Sequence, residues 1–187
     1  MSESHITEKA IAESLKQLMK IKPLSKISIN DIAENCGLNR QTFYYHFKDK
    51  YELVNWIYYT EAVSGKADCS NYNSWSGEMY KTLVYLMENK SFYINALSTP
   101  GQNAFDGYFF ENTFELIMGI INDISTNIDI DASDKKFIAD FYANAFVGIT
   151  VQWVKSGMEI SPKILVDKLN KIVEGSMLGA IKRYAPI

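Results

Sequence analysis

The sequence is poor in the residues that build disulfide frameworks and metal centres. Among its 187 residues are two cysteines, Cys36 and Cys69, and two histidines, His5 and His46. Two cysteines far apart in the chain are too few for a disulfide framework, and a tetrahedral zinc site would have to recruit carboxylates. We therefore expect free buried thiols, with no metal and no cofactor.

Long hydrophobic runs and a secretion signal are also missing. No run approaches the ~18 consecutive apolar residues that cross a bilayer, and the first ten residues, MSESHITEKA, lack a basic segment followed by an apolar one. We recognise no Ser/His/Asp set, glycine-rich phosphate loop or carboxylate dyad. These absences argue against a membrane protein and against an enzyme, and we expect a cytoplasmic protein.

Positive charge is scarce as well, since the net charge is −3. It is unevenly distributed: residues 1–66 hold nine Lys/Arg and eight Asp/Glu, and residues 67–187 hold ten and fourteen. DNA binding depends on local charge at the contact surface. The acidic excess in the second part therefore does not exclude a nucleic-acid partner for the first part.

What is present is an ordinary globular composition, 47% hydrophobic and 22% charged, with apolar residues at helical spacing. The first predicted helix, over about residues 5–21, carries the stripe Ile11, Leu15, Leu18 and Met19, and Pro23 stops it. No convincing alternating strand is found. We predict an all-α chain of about nine helices. The later ones lie near residues 49–66, 74–89, 90–98, 103–127, 133–156 and 161–183, with a polar linker at 67–73.

Residues 28–47 carry a helix-turn-helix pattern. Ser28 with Asp31 forms a capping-box-like pair that opens the second helix, Gly37 closes it at a position that favours left-handed φ/ψ, and Asn39 caps the third helix. A small residue, Ala33, four positions before Gly37 lets the third helix cross closely. The apolar members Ile32, Leu38, Phe43 and Phe47 have a packing role.

The remaining residues of the third helix form a donor-rich surface with little carboxylate nearby. Arginine pairs with guanine O6/N7, glutamine with adenine N6/N7, and the threonine methyl with the thymine methyl. Lys50, at the start of the fourth helix, is placed to meet a phosphate beside that helix's N–H groups. The predicted DNA-binding residues are Ser28, Asn39, Arg40, Gln41, Thr42, Tyr44, Tyr45, His46 and Lys50.

The run TFYYHFKDKYEL, residues 42–53, resembles the hallmark of the TetR/AcrR family of transcription regulators, as do Ser28-Ile29, Ile32-Ala33 and Gly37-Leu38. The resemblance covers about residues 8–55. It implies a three-helix DNA-binding domain over 1–48 and a C-terminal ligand- or partner-sensing and dimerisation domain over 49–187, connected by helix 49–66. By position, Gln41, Thr42, Tyr44, His46 and Lys50 match the family's DNA-contacting residues, and Arg40 sits where members vary. Cys36 replaces the usual alanine, and we expect it to pack.

The resemblance also implies an effector pocket among the many aromatics of the second part. Its candidate residues are Trp75, Tyr85, Tyr93, Phe109, Phe141 and Asn144. The alternative is that these aromatics belong to the core or to a dimer seam, because aromatics at helical spacing usually pack. In the family the last two long helices form the homodimer seam, and residues 137–156 with the helix from Pro162 match in position and character.

We therefore predict a homodimeric, sequence-specific DNA-binding regulator with a palindromic double-stranded operator, a repressor switched by a small-molecule or protein effector. Glu52, Leu53, Trp56 and Ile57, then Phe92-Tyr93 and Trp153, also resemble regulators of dihydroxyacetone kinase operons. That resemblance implies the alternative of a transcriptional activator controlled by a protein coactivator. A helical interaction module with secondary DNA contact is a further alternative.

Overall fold

A computed structural model describes residues 3–64, 75–99 and 105–185. These ranges contain helices and no strand, which confirms the predicted all-α class. The helices are α1 (Glu3–Met19), a 3₁₀ turn (Leu24–Lys26), α2 (Ile29–Asn35), α3 (Arg40–His46), α4 (Lys50–Ile57) with a π-helical continuation (Tyr58–Val63), α5 (Trp75–Glu88), α6 (Lys90–Leu97), α7 (Phe105–Ile124), α8 (Ala132–Lys155), α9 (Pro162–Val173) and α10 (Ser176–Tyr184). The predicted linker at 67–73 and Cys69 lie outside the described residues.

The chain divides into two compact units. The first is Met1–Ser64 with Asn89–Phe105, and the second is Gly65–Glu88 with Asp106–Ile187. The first unit therefore holds α1 to α4 and also α6, which comes later in the sequence. The predicted boundary at residue 48 separates DNA binding from sensing and dimerisation. It concerns function, and it stays a prediction.

The core of the first unit is built around α1. Ile11 and Leu15 on α1 are fully buried, as are Ile32 on α2 and Phe43 on α3. The helix ends at Met19 because Pro23 has no N–H with which to continue the hydrogen-bond ladder. A second cluster in the same unit is aromatic: the ring of Tyr58 meets those of Tyr93 and Phe105 at 6.3 and 5.2 Å, largely edge to face.

The second unit is organised by the long helix α8. The buried face of α8 includes Tyr142 and Trp153, whose polar atoms find partners: Tyr142 Oη donates to Ser176 Oγ at 2.9 Å and Trp153 Nε1 to the Ile160 carbonyl at 2.8 Å. These bonds tie α8 to α10 and to the turn before α9. By length and composition α8 is also apolar enough to cross a membrane, but a core helix of a soluble protein passes the same test.

The end of the chain differs from the prediction of one helix over 161–183. Ser161 caps α9 and Pro162 stands at its start, as expected. The helix then stops at Val173, and α10 begins after Gly175, which has φ +73°. A left-handed residue cannot continue the α-helical hydrogen-bond ladder, so the single predicted helix is wrong.

Candidate DNA-binding site

The turn that joins α2 to α3 is held by short-range hydrogen bonds. The predicted capping box is confirmed: Ser28 N–H donates to Asp31 Oδ2 at 2.7 Å, and Asp31 N–H donates to Ser28 Oγ at 3.1 Å. At the other end, Leu38 N–H donates to the Ala33 carbonyl at 2.8 Å and Gly37 N–H to the Glu34 carbonyl at 3.1 Å. With Gly37 at φ +70°, this is a Schellman motif, which directs the chain sharply into α3.

The first turn of α2 also carries an ion pair. Lys22 Nζ lies 3.0 Å from Asp31 Oδ2. The backbone N–H of Ser28, followed by the Lys22 ammonium, lowers the pKa of Asp31 to about 2. Asp31 is therefore ionised at physiological pH. Its negative charge also interacts favourably with the positive, N-terminal end of the α2 dipole.

The recognition helix α3 begins with a side-chain cap. Asn39 Oδ1 accepts hydrogen bonds from Thr42 N–H at 2.8 Å and from Thr42 Oγ1 at 3.1 Å. The hydroxyl of Thr42 is thus used within the cap, which leaves its methyl group for a base contact. On the opposite side of α3, Phe43 is fully buried and Phe47 nearly so, and their rings pack against each other at 5.9 Å. This apolar side anchors α3 to the core.

The exposed face of α3 consists of Arg40, Gln41, Tyr44 and Tyr45. Arg40 Nη2 donates to Tyr44 Oη at 3.2 Å, and the guanidinium lies 5.3 Å from the centre of the Tyr44 ring. Tyr45 is 83% exposed, more than any other tyrosine that the structure describes. The predicted arginine, glutamine and tyrosines therefore share one surface, on which Arg40 and Tyr44 are paired with each other.

His46 does not share that surface. Its side chain is only 7% exposed, and Nδ1 lies 3.5 Å from Glu8 Oε1 and 3.5 Å from Ser4 Oγ, both on α1. The expectation that His46 faces outward is wrong, because it is the last residue of α3 and turns back onto α1. Its predicted DNA contact remains a prediction.

Lys50 is also used differently from the expectation. Its ammonium donates to the carbonyls of Leu24, Ser25 and Ile27 at 2.7, 3.4 and 2.8 Å. An ammonium has three N–H donors, so all three meet the turn between α1 and α2. Partial burial lowers the pKa of Lys50. A phosphate contact would require at least one of these bonds to be given up.

Sequence reasoning missed Ser14, which joins α1 to α2. Its side chain is buried, Oγ donates to the Ile32 carbonyl at 2.7 Å, and Asn35 Nδ2 donates back to Oγ at 3.1 Å. The available signal was its place between Ile11 and Leu15 on the apolar stripe of α1. Cys36 donates its thiol to the Ile32 carbonyl at 3.2 Å, and burial raises the pKa of that thiol, in keeping with a packing role.

Comparison with known proteins identifies this architecture. Residues 11–57 match the family described as "Bacterial regulatory proteins, tetR family". Residues 73–175 match the family described as "Transcriptional regulator C-terminal region". Over 186 residues the chain is 32% identical to the "HTH-type dhaKLM operon transcriptional activator DhaS" of Lactococcus lactis, covering 98% of this chain and 95% of that protein. The chain belongs to the TetR family.

Solved structures agree with this assignment. The "Dihydroxyacetone kinase operon activator DhaS" is 28% identical to this TetR-family chain, with a TM-score of 0.69 over 97% of this chain and 99% of that one. NalD, the secondary repressor of the MexAB-OprM multidrug efflux pump in Pseudomonas aeruginosa, has a TM-score of 0.67 at 14% identity, covering 95% and 97%. At that identity the likeness to NalD concerns the fold alone.

Membership defines the general function. The chain is a DNA-binding transcriptional regulator, and regulators of the TetR family bind DNA operators and form dimers. Both matched families are described as regulators. The match to DhaS also agrees with the resemblance to dihydroxyacetone kinase operon regulators seen in the sequence.

The six predicted effector residues of this TetR regulator are distributed between the two units. Tyr93 is fully buried in the aromatic cluster of the first unit, whereas the other five belong to the second. Trp75 packs edge to face on Phe146 at 5.5 Å, Phe109 is buried, and Tyr85 is half-buried. Phe141 is 65% exposed, and Asn144 Nδ2 is bonded to the Asp140 carbonyl of its own helix. Phe141 and Asn144 are therefore exposed in the single chain, and the effector role of the six residues stays a prediction.

Proposed function

We propose that this regulator reads the major groove of duplex DNA with the exposed face of α3, through Arg40, Gln41, Tyr44 and Tyr45. The observation that carries the proposal is the pairing of Arg40 with Tyr44 on that face. Stacking on the ring limits the rotamers of the long arginine side chain, so less conformational entropy is lost when it binds a base. The Thr42 methyl adds a contact suited to a thymine methyl.

The capped helix starts supply backbone contacts to DNA. The first N–H groups of α2 and α3 lie beside Ser28 and Asn39, and helix N-termini favour phosphate oxygens. Such contacts orient the domain without choosing a sequence. We propose that Ser28 and Asn39 act at this level, and that Lys50 mainly holds the turn between α1 and α2.

Alanine variants matched in type and exposure test the proposed base readers. Loss of a good bidentate base contact costs about 1–3 kcal/mol, so Arg40→Ala should weaken binding by roughly five- to 150-fold. The control is Arg183→Ala, at the one other arginine of the sequence, which is exposed on α10. Tyr44→Ala is matched by Tyr184→Ala, because the two tyrosines are 46% and 44% exposed. The ligand is a duplex selected from a random-sequence library by the wild-type chain.

Fluorescence anisotropy at several salt concentrations separates base contacts from phosphate contacts. A base reader should lose affinity for the selected duplex while a scrambled duplex binds nearly as before. Equal losses for Arg40→Ala and Arg183→Ala, or unchanged affinity for Arg40→Ala, would remove Arg40 from the proposal.

We propose that α8 and α9 form the dimer surface. Both helices expose apolar side chains, with Phe137 and Phe141 on α8 at 62% and 65% and Ile172 on α9 at 69%. Farther along α8, after Phe141, Ala145 and Gly148 are also exposed, and small residues allow helices to approach closely. A twofold dimer places two copies of α3 about 34–36 Å apart, or a multiple of that distance, which calls for a palindromic operator.

Sedimentation velocity at micromolar concentration tests this surface. Phe141→Lys would bury an unpaired charge in the dimer and should convert the protein to monomers. Tyr80→Lys is the control, since Tyr80 is an exposed aromatic on α5 outside the proposed surface. A variant at Phe141 that sediments as the wild type would exclude this part of α8 from the interface.

We propose that the regulator activates transcription. The sequence-based expectation was repression, and the relative that matches 98% of the chain at 32% identity is named an operon activator. The repressor NalD shares the fold at 14% identity. Activation of a dihydroxyacetone kinase operon is therefore the specific role proposed.

Transcript levels decide between activation and repression. Deleting the gene should lower the transcripts of the dihydroxyacetone kinase genes in its host, and a chromosomal Arg40→Ala allele should reproduce the loss. Higher transcripts in the deletion strain would establish repression instead.

Adding dihydroxyacetone to the purified protein and recording its thermal unfolding tests a small-molecule effector. If the unfolding temperature does not shift, a protein coactivator is the alternative. With either effector, we propose that the regulator acts in the cytoplasm.

A further inference from the structure

Asn95 lies in α6, within the sequence region matched by the C-terminal family, yet its amide bonds to the turn after α1. Nδ2 donates to the Met19 carbonyl at 3.0 Å and to the Lys22 carbonyl at 2.9 Å. Oδ1 accepts from Leu24 N–H at 2.8 Å. Both donors and the acceptor of one side chain are thus spent on residues 19–24, and all of these residues belong to the first unit.

The turn needs these bonds because of Pro23. In a continuing helix the Met19 carbonyl would accept from the N–H of residue 23, which proline lacks. Leu24 begins the 3₁₀ turn, and Pro23 before it provides no side-chain cap for the Leu24 N–H. Asn95 supplies the missing donor to the Met19 carbonyl and the missing acceptor to the Leu24 N–H.

Leu24 is held from two helices at once. Its N–H is bonded to Asn95 of α6, and its carbonyl is bonded to Lys50 of α4. The segment leads directly into Ser28, the cap of α2, while Lys22 pairs with Asp31 in the first turn of α2. The position of α2, and of α3 packed behind it, therefore depends on where this turn is held.

We propose that Asn95 is a positioning residue for DNA binding: it holds residues 19–24 so that α2 and α3 are presented in a binding geometry. It contacts no DNA itself. This inference rests on the proposed reading of DNA by α3. Removing the amide should leave the helices formed but allow the turn to shift.

The test is the affinity of the full chain for the duplex selected by the wild type, at a temperature where circular dichroism shows the variant fully folded. Under that condition a loss of global stability alone does not change the affinity. Asn95→Ala should weaken binding by about two- to thirtyfold, the range of couplings carried through packed networks. Asn112→Ala is the control, because Asn112 Nδ2 donates to the Tyr108 carbonyl of its own helix at 2.8 Å, so that the variant removes an asparagine amide without touching the turn after α1.

Hydrogen exchange gives a second measurement on the wild type. The Leu24 N–H should be protected like the amides of α1, and in Asn95→Ala it should exchange faster while α1 is unchanged. If Asn95→Ala does not fold, Asn95→Asp takes its place, since it keeps the oxygen that faces Leu24 and loses both donors. Equal binding by a folded Asn95 variant, or an unprotected Leu24 amide in the wild type, would overturn the inference. A wild-type chain that selects no duplex would instead refute the reading of DNA by α3, and this inference with it.

Discussion

Gly37 offers a quantitative test of how the helix-turn-helix is formed. At φ +70° a Cβ would meet nothing within 4 Å, so Gly37→Ala adds backbone strain without a clash. Left-handed φ/ψ costs an alanine about 1–2 kcal/mol. Restricting the unfolded chain offsets about 0.4–1 kcal/mol of this. A net loss of about 1 kcal/mol remains, which corresponds to roughly 2–4 °C in the unfolding temperature of a chain of this size.

Two further variants separate strain from other effects. Gly37→Asn should cost less than Gly37→Ala, because asparagine adopts the left-handed conformation more readily. Gly77→Ala, at the exposed third residue of α5 with equally open space around its Cβ, should instead not lower stability, and its gain should stay below the roughly 1 kcal/mol of a helix interior. Urea unfolding followed by circular dichroism measures all three. If Gly37→Ala is neutral, or Gly37→Asn costs more than Gly37→Ala, the conformational explanation of the turn is refuted.

Three other predictions concern contacts around α2. Because the folded pKa of Asp31 is lowered to about 2 from about 4 in an unfolded chain, its stabilisation is complete above about pH 4 and lost as the pH falls toward 2. Asp31→Asn should therefore flatten the acid limb of a pH series of thermal unfolding, and an unchanged limb would contradict the assignment. Lys50→Met should lower the free energy of unfolding by about 1–3 kcal/mol with an unchanged salt dependence of DNA binding, whereas a slope reduced by about one would reveal a phosphate contact. Ser14→Ala should cost about 1–3 kcal/mol, because the Ile32 carbonyl keeps only the weak thiol donor of Cys36 and the Asn35 amide loses its acceptor, and a urea experiment showing no loss would contradict the role of these bonds.

Local features of the DNA-binding site were predictable. The capping box at Ser28, the cap at Asn39 and the turn at Gly37 depend on hydrogen bonds between residues three to five positions apart, and such spacings are visible in a sequence. The break at Gly175 was local as well, but a single glycine inside an apolar helical pattern does not announce left-handed φ/ψ.

Features that depend on distant residues were not predictable. His46 meets Glu8, Lys50 meets Leu24 and Ile27, and Asn95 meets residues more than 70 positions earlier. Each of these side chains was interpreted by its type and place on its own helix, which does not reveal what another helix brings opposite to it. The exposure of the effector candidate Phe141 was not visible in the sequence for the same reason.

The sequence by itself determined that the chain is all-helical, where the recognition helix begins and ends, and to which family the chain belongs, since these depend on periodicity, caps and short motifs. Only the tertiary structure decided which polar residues of the helix-turn-helix are exposed to solvent and which form hydrogen bonds that hold the motif together. The physical reason is that a hydrogen-bonding side chain is committed by its nearest partner in space, and Asn95 in α6 finds that partner at the end of α1.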